Sequence, residues 1–341
     1  MKIWIDILTP KQLLFSEPII EKLSKKHEIL CTSREYGEVK KLAKIRNLDL
    51  IFVGKHGGKQ RISKLEASID RMEKITKKVK RFSPDLTISF ASPEATRVSF
   101  GLGIKHIAFC DSPHADAVMR LTMPLIQKLL IPKIIPKKEF SKFGIEEKNI
   151  VSYNSIDAAV TIKRKVIEKD SPFRKNNKKN ILIRIEEEHA SYVSKSSNSL
   201  SILKKIVKEF KEENIVVLCR YPSQIKKIKS QIGKNAKVLS MNFDGKQLLR
   251  DSDVFIGSGG TMTAEASLLG TPTISYNAVP NIVEEYLVKK NLVKRETEPK
   301  KICNFMRKIF NSPKTQYLKK AKMEKSKMEN PIEKLIEIIN E

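Results

Sequence analysis

The chain has 341 residues, of which 40% are hydrophobic, and 66 Lys and Arg outnumber 39 Asp and Glu, giving a formal charge of +27. This length exceeds that of a usual single core and predicts two domains of roughly 150 residues each. No apolar run approaches the ~20 residues of a membrane-spanning helix, which argues against a membrane-embedded protein.

The surplus of positive charge favours anionic partners, whether nucleic acid, anionic lipid or phosphorylated metabolites. Most basic residues are lysines on predicted helix faces with few aromatic side chains beside them, so nucleic-acid binding is not expected. The densest tract, YLKKAKMEKSKMEN (317–330), predicts a Lys-rich C-terminal helical tail. This tail is either an exposed helix or a peripheral contact with an anionic membrane.

The first residues, MKIWIDIL, start with a strand pattern and lack the features of a signal peptide. The four cysteines are at least 79 positions apart, unlike the paired spacing of a zinc site. The sequence therefore predicts a cytoplasmic protein with reduced, buried cysteines and without a metal or cofactor.

Short apolar runs alternate with longer helical patterns, which is typical of βαβ units and predicts an α/β fold with parallel sheets. The predicted strands of the first half are KIWIDIL, EILCTS, DLIFVG, DLTISF and HIAFCD, and IIPKKEF and IVSYN add two short runs. The predicted helices of the first half cover residues 17–26, 35–47, 62–82, 94–101 and 115–130.

Residues 163–180 are charged, contain Pro172 and interrupt the pattern, which predicts a domain junction. A second array follows, with strands NILIRI, IVVLCR, AKVLS, DVFIGS and TPTISY and a helix over LSILKKIVKEFKEEN. We therefore expect two Rossmann-like domains, at 1–165 and 180–341, with a ligand in the cleft where the carboxyl ends of their sheets face each other.

The segment DVFIGSGGTMTAEASLLGTP (253–272) combines an apolar strand, a glycine-rich turn and a helix. Gly259 and Gly260 let the backbone approach a ligand at a helix N-terminus, where free N–H groups favour anions. Glu265, one turn into the helix, can accept two hydrogen bonds from vicinal hydroxyls such as those of a ribose. The residues alone fit a diphosphate and ribose site or an ordinary strand-to-helix turn. Three hydroxyl side chains accompany the turn: Ser258, Thr261 and Thr263.

This segment resembles the donor-binding motif of GT-B nucleotide-sugar enzymes, in particular the non-hydrolysing UDP-N-acetylglucosamine 2-epimerases and the MurG-like glycosyltransferases. More closely, the chain resembles the uncharacterised, largely archaeal DUF354 family in MKIWIDILTP, GKHGG, DSPHA and GSGGTMTAEASLLGTP. The resemblance implies a GT-B fold in which Ser258, Gly259 and Gly260 hold a diphosphate, and we expect Thr261 to contact the ligand as well. The resemblance also implies that Glu265 holds the ribose.

In GT-B proteins the loop after the first strand faces the cleft, which makes Thr9, Lys11 and Gln12 cleft candidates. Asp6 fits the same surface or a structural position inside the strand. His56, in GKHGG, is either a cleft residue or a solvated loop residue. The segment FASPEA begins a helix, where Ser92 is a potential cap and Glu94 either enters the cleft or complements the helix end.

The segment FCDSPHADAVMR (109–120) is rich in acid and imidazole groups after a buried strand. We expect Asp111, His114 and Asp116 to be catalytic as acids or bases, and Arg120 to contact a carboxylate or phosphate. A polar loop that caps a helix is the alternative.

The same segment is similar in position to the 2-epimerase segment that contains a Glu and a later Glu-Glu-x-Asn-Arg run. Asp111 matches the first acid, Asp116 the first Glu of the run and Arg120 its Arg, whereas Ala117 and Met119 depart from it. The family's His-Arg-Arg segment has no counterpart either. Four polar residues occupy that region, of which the first is an expected nucleotide-sugar contact: Arg184, Glu186, Glu187 and His189.

We therefore expect a metal-independent glycosyltransferase that binds a nucleotide sugar, such as UDP-N-acetylglucosamine, in its second domain and an unknown acceptor in its first. A 2-epimerase-like isomerase and a non-catalytic nucleotide-sugar-binding protein are the alternatives.

Overall fold

The structure, a computed structural model, describes residues 1–58, 60–168, 170–174, 176–186, 198–220, 222–240, 245–278 and 280–341. The chain divides into two compact units. The first unit comprises Met1–Arg164 together with Glu329–Glu341, and the second comprises Lys165–Met328.

The first unit contains a seven-stranded sheet in which every pair of neighbouring strands is parallel. The strand order is β3-β2-β1-β4-β5-β6-β7, so the chain winds outward in both directions from β1. A ligand site in such a sheet is expected beyond the carboxyl ends of the strands, near β1 and β4, where the winding reverses. The strands are β1 (Lys2–Ile7), β2 (Glu28–Glu35), β3 (Ile51–Lys55), β4 (Leu86–Ser89), β5 (Lys105–Phe109), β6 (Lys128–Pro132) and β7 (Ile150–Tyr153).

Helices cover both faces of this sheet because alternate strand residues are buried on opposite faces. Ile3 and Ile5 contribute to a core that includes α1, whereas Trp4 contributes to a core with Ile75 and Val79 of α3. The helices of the first unit are α1 (Pro10–Leu23), α2 (Gly37–Arg46), α3 (Arg61–Phe82), α4 (Pro93–Gly101), α5 (Asp116–Thr122), α6 (Lys138–Ser141), α7 (Asp157–Thr161) and, at the end of the chain, α15 (Pro331–Asn340).

The second unit contains a six-stranded parallel sheet in the order β10-β9-β8-β11-β12-β13. Its strands are β8 (Asn180–Arg184), β9 (Asn214–Cys219), β10 (Lys237–Ser240), β11 (Val254–Gly257), β12 (Thr273–Ser275) and β13 (Val293–Arg295). Its helices are α8 (Ser199–Glu209), α9 (Pro222–Ile232), α10 (Gly245–Asp251), α11 (Thr261–Leu269), α12 (Ile282–Lys289), α13 (Pro299–Phe310) and α14 (Thr315–Lys325).

The last helix departs from the expected domain range of 180–341. Helix α15 belongs to the first unit because Ile332, Leu335 and Ile338 complete the core that contains Ile3 and Ile5. The Lys-rich tail therefore ends before α15, and its helix α14 packs against α11 in the second unit.

Two predicted elements of the first unit are wrong. The helix expected over 115–130 ends at Thr122, and Lys128–Pro132 forms the buried strand β6. The run IIPKKEF does not form a strand, since a turn and the short helix α6 occupy it. None of the helices in the described ranges has the length and apolar composition needed to cross a membrane. All four cysteines are buried and free.

Candidate functional site

The glycine-rich turn connects β11 to α11 in the middle of the second sheet. Gly259 has φ +99°, which side chains rarely tolerate, and Gly260 precedes the helix in an extended conformation. A side chain at Gly257 would place its Cβ 2.7 Å from the Thr263 hydroxyl and 2.6 Å from a Phe255 ring atom. The two glycines at 257 and 259 are therefore needed for the turn itself.

Two side chains fix this turn from different directions. The Thr263 hydroxyl accepts a hydrogen bond from the Gly259 N–H (3.2 Å), and the Asn281 amide donates one to the Gly259 carbonyl (3.0 Å). Asn281 also caps α12, where its side-chain oxygen accepts a hydrogen bond from the Glu284 N–H (2.9 Å). Thr263, one of the three hydroxyl residues that accompany the turn, is buried and closes it.

The remaining residues of the motif differ in access. Ser258 and Gly260 are partly exposed and Thr261 is exposed, whereas Glu265 is only 2% exposed. Within the described part of the chain, the N–H groups of Gly260, Thr261 and Met262 donate no hydrogen bond to the protein. Three successive N–H groups at the start of a helix form a ready site for an anion.

Arg184 ends strand β8, which pairs directly with β11, so Arg184 lies at the same sheet edge as the turn. Glu186 follows it and is buried, and its carboxylate accepts a hydrogen bond from the Tyr276 hydroxyl (2.7 Å). Glu186 thus ties the end of β8 to the end of β12. Glu187 and His189 lie outside the described residues.

A charged cluster lies at the carboxyl edge of the first sheet. Lys11, in the first turn of α1, forms a short ion pair with Asp111, which follows β5, and lies 2.7 Å from Asp157 at the start of α7. The Tyr153 hydroxyl donates to Asp157 (2.9 Å), and the Ser112 hydroxyl donates to Asp111 (2.8 Å). Side-chain exposure is 22% for Lys11, 17% for Asp111 and 4% for Asp157, so Asp111 is the more accessible acid.

The two acids of this cluster differ in their pKa values. Burial raises the pKa of Asp157 to about 6, with Lys11 opposing the rise and the charge of Asp111 adding to it. Burial also acts on Asp111, but the Lys11 ammonium and the Ser112 hydroxyl outweigh it and hold the pKa of Asp111 below its usual value. Burial alone would lower the pKa of Lys11, yet the two carboxylates raise it. At neutral pH Asp111 is anionic, whereas Asp157 titrates just below neutrality.

Sequence reasoning missed Asp157 and Tyr153. Both belong to the end of β7 and the start of α7, and IVSYN was recognised only as a short apolar run. The sequence signal that could have identified them is their position directly after a strand, because polar residues that follow parallel strands converge at one edge of the sheet.

Asp116 and Arg120 lie apart from this cluster, on an exposed face of α5. They pair with each other (Nε to Oδ2, 2.8 Å), with side-chain exposures of 63% and 70%. His114 is exposed in the preceding loop. Of the segment's candidates, the structure therefore brings only Asp111 to Lys11 and Asp157.

The Asp6 carboxylate lies in the interior of the first unit. Asp6 is 1% exposed and forms an ion pair with the buried Arg71 (2.6 Å), while Thr32 and Ser92 donate hydrogen bonds to it. Glu94 also approaches Arg71 (3.4 Å). Asp6 and Glu94 therefore neutralise a buried guanidinium, and Ser92 also caps α4 as expected for a helix start.

Two of the three cleft candidates after β1 have local structural roles. The Thr9 hydroxyl accepts from the Gln12 N–H (3.3 Å), and the Gln12 side chain accepts from the Leu8 N–H (2.7 Å). This reciprocal arrangement caps α1. His56 is exposed, and its Nδ1 accepts a hydrogen bond from the Gly58 N–H (3.0 Å).

A family model described as "Protein of unknown function (DUF354)" matches residues 1–341. The chain belongs to the DUF354 family. An uncharacterized protein of Methanocaldococcus jannaschii is 29% identical to this DUF354 protein over 318 residues, which cover 90% of this chain and 91% of that protein.

Solved structures resemble the DUF354 protein in fold. The UDP-GlcNAc 2-epimerase of Neisseria meningitidis, solved bound to UDP-GlcNAc, has a TM-score of 0.75 at 17% identity and is covered over 99% of each chain. MurG of Acinetobacter baumannii has a TM-score of 0.58 at 11% identity, with 100% of this chain and 99% of that chain covered. These likenesses and the two parallel sheets confirm the predicted GT-B fold class.

Proposed function

We propose that this DUF354 protein is a glycosyltransferase that binds a nucleoside diphosphate sugar at the β11–α11 turn. The observation that carries the proposal is the turn itself, in which three N–H groups without an acceptor among the described residues follow the left-handed Gly259 at a helix N-terminus. A diphosphate supplies the acceptor oxygens and the negative charge that such a site favours. The neighbour from Neisseria meningitidis binds UDP-GlcNAc, and a similar ligand suits this site.

Within this proposal, Glu265 holds the two ribose hydroxyls through its carboxylate. Thr261 and Glu265 are four residues apart and so lie on one face of α11. Because Glu265 is 2% exposed, a ribose reaches it only after neighbouring side chains shift.

Asp111 supplies the chemistry in this proposal. Its carboxylate is anionic and partly exposed, so it can accept the proton of an acceptor hydroxyl. The hydroxyl oxygen then bonds to the anomeric carbon, the bond from that carbon to the diphosphate breaks, and the diphosphate leaves with the electron pair. The helix end at Gly260 stabilises the charge that develops on the diphosphate.

Calorimetric titration of the protein with UDP-GlcNAc and other nucleotide sugars tests the donor site. We expect Glu265→Gln to weaken binding at least ~10-fold, which corresponds to the ~1.4 kcal/mol of a lost charge-assisted hydrogen bond. Glu284→Gln is the matched control, because Glu284 is an equally buried carboxylate that pairs with Arg295 outside the turn. Unchanged affinity in Glu265→Gln, with the fold intact by circular dichroism, would refute the ribose role.

Epimerisation of the sugar is the second candidate, and the unlike acids Asp111 and Asp157 favour it. Two carboxyl groups of different pKa suit a reaction that removes a proton and returns one. Incubation with UDP-GlcNAc in heavy water separates the candidates. Deuterium at C2 of the sugar indicates epimerisation, whereas sugar transfer to an added acceptor without such exchange indicates the transferase.

A further inference from the structure

Helix α3 exposes three large aliphatic side chains. Ile62 is 58% exposed, Leu65 57% and Ile69 53%. Their spacing of three and four residues places them on one face of the helix. Single exposed aliphatic residues are ordinary in proteins, whereas three on one face form one patch of roughly a few hundred Å², comparable to the largest apolar patch of a typical monomer, which is often functional.

This face is separate from the one that α3 packs against its own sheet. Ile75 and Val79 point into the core with Trp4, and Arg71 is buried against Asp6. The core contacts of α3 are therefore complete without the exposed face.

The three exposed side chains follow one another at intervals of three and four residues. The next residue of this spacing, Met72, packs against the core that contains Trp4, so the exposed repeat ends at Ile69. This alternation is the a and d repeat of helices that pair side by side. Ile62 and Ile69 then occupy a positions and Leu65 a d position.

The exposed charges beside the patch are of both signs. Glu66, Asp70 and Glu73 are exposed on this part of α3, and so are Arg61, Lys64, Lys74 and Lys77. Asp70 and Glu73 pair with lysines one turn further along the same helix (2.6 and 2.8 Å). Arg61 and Glu66 form no ion pair within the described part of the chain.

Arg61 and Glu66 occupy the g and e positions that flank the repeat. In a parallel, in-register pair of helices, a g residue of one helix meets the e residue of the other in the next heptad. Arg61 then faces the partner's Glu66, and a two-fold axis generates the same contact twice. The patch is thus complementary to itself in charge.

We propose that α3 is a docking surface for a second copy of this chain. The two helices lie parallel and in register, so that Ile62, Leu65 and Ile69 each contact the same residue of the partner. A few hundred Å² on each side is below the ~800 Å² of a standard interface, so the dimer is in dynamic exchange with the monomer.

Sedimentation velocity of the full chain from about 1 to 100 µM tests the proposal, since this range spans the dissociation constants of weak complexes. We expect a concentration-dependent dimer in the wild type and at least a ~30-fold weaker dimer in Leu65→Glu. Leu121→Glu is the matched control, because Leu121 is 59% exposed on α5 and should leave the dimer unchanged. A monomer at every concentration, or a dimer that Leu65→Glu leaves intact, would overturn the proposal.

Two further measurements fix the arrangement. Arg61→Glu and Glu66→Arg should each weaken the dimer, and the double variant should restore it. Ile62→Cys should form a disulfide-linked dimer under mild oxidation, with little background because the four native cysteines are buried. Failure of the charge swap and the cross-link together would contradict the parallel register. Binding of the wild type to phosphatidylglycerol vesicles without self-association, abolished by Leu65→Glu, would identify a lipid-binding surface instead.

Discussion

The side chain of Asn281 makes two hydrogen bonds. Its amide donates to the Gly259 carbonyl (3.0 Å), and its oxygen caps α12 by accepting from the Glu284 N–H (2.9 Å). The first contact holds the left-handed residue of the turn, and the second starts the next helix. The proposed diphosphate site therefore depends on a residue that lies 22 positions away along the chain.

Asn281→Ser separates these two contacts. Serine is also a good helix cap, so the melting temperature should change little, whereas the donor to Gly259 is lost. We expect nucleotide-sugar affinity to fall ~10-fold, the effect of about one hydrogen bond on the arrangement of the turn. Calorimetry measures the affinity, and Asn330→Ser, which alters the equivalent cap of α15, is the control with no expected effect. Equal affinities in both variants would contradict a positioning role for Asn281.

Lys11→Met should destabilise the first unit in a pH-dependent way. Without the ammonium, Asp111 and Asp157 are two buried carboxylates without their cation, and breaking such a pair costs about 3 kcal/mol. Their pKa values in the folded state then rise above those of the unfolded chain. A carboxyl group of this kind binds protons preferentially in the folded state, so stability returns as pH falls through the folded pKa.

Thermal melts at pH 5 and pH 8 measure this effect. The difference between wild type and Lys11→Met should be large at pH 8 and smaller at pH 5. Arg120→Met, which removes an exposed ion pair with Asp116, should leave the melting temperature unchanged at both values. A constant difference across this range would show that the loss of stability does not come from the two carboxylates left without their cation.

His106 should make the first unit acid-sensitive. It is fully buried in β5, its Nε2 lies 3.0 Å from the Ser89 hydroxyl, and burial lowers its pKa to about 3. Between that value and about 6.5, His106 is protonated in the unfolded chain but not in the folded chain. Its contribution to the free energy of unfolding therefore falls by ~1.4 kcal/mol for each pH unit as pH falls. Urea melts from pH 7 to 5 should therefore show stability that falls more steeply with falling pH in the wild type than in His106→Gln. Equal slopes would mean that other groups cause the acid sensitivity.

The element pattern was predictable where the periodicities were unambiguous. Strands β1 to β5 and β8 to β12 follow the apolar runs closely, because buried parallel strands are short and continuously apolar. Strand β6 was missed because KLLIP continues the apolar pattern of α5, and a short buried strand cannot be told from a helix end by periodicity.

The candidate site was predictable only in part, for a related reason. The glycine turn is contiguous in sequence, so its conformation follows from local rules. The Lys11, Asp111 and Asp157 cluster joins the ends of three strands, and its assembly depends on the strand order. No sequence pattern indicates that Asn281 reaches Gly259, since this contact requires the packing of α12 beside the turn.

Substitution of Gly270 tests whether the packing of the Lys-rich helix α14 against α11 contributes to the stability of the second unit. Gly270 ends α11 with φ +80°, and an added Cβ would lie 2.8 Å from the Leu318 Cα of α14. Gly270→Ala therefore combines a left-handed alanine, which costs about 1 kcal/mol, with an overpacked contact that costs about 1–3 kcal/mol more.

Gly103→Ala is the matched control for this substitution, since Gly103 has φ +68° but an added Cβ there meets no atom within 4 Å. Urea denaturation of both variants should show a larger loss of stability for Gly270→Ala. Equal losses would mean that only the backbone conformation matters, and that α14 moves away from α11 without cost. A larger loss of stability in Gly270→Ala would instead show that α14 and its lysines are part of the folded unit that supports the α11 turn. Removal of α14 would then weaken nucleotide-sugar binding.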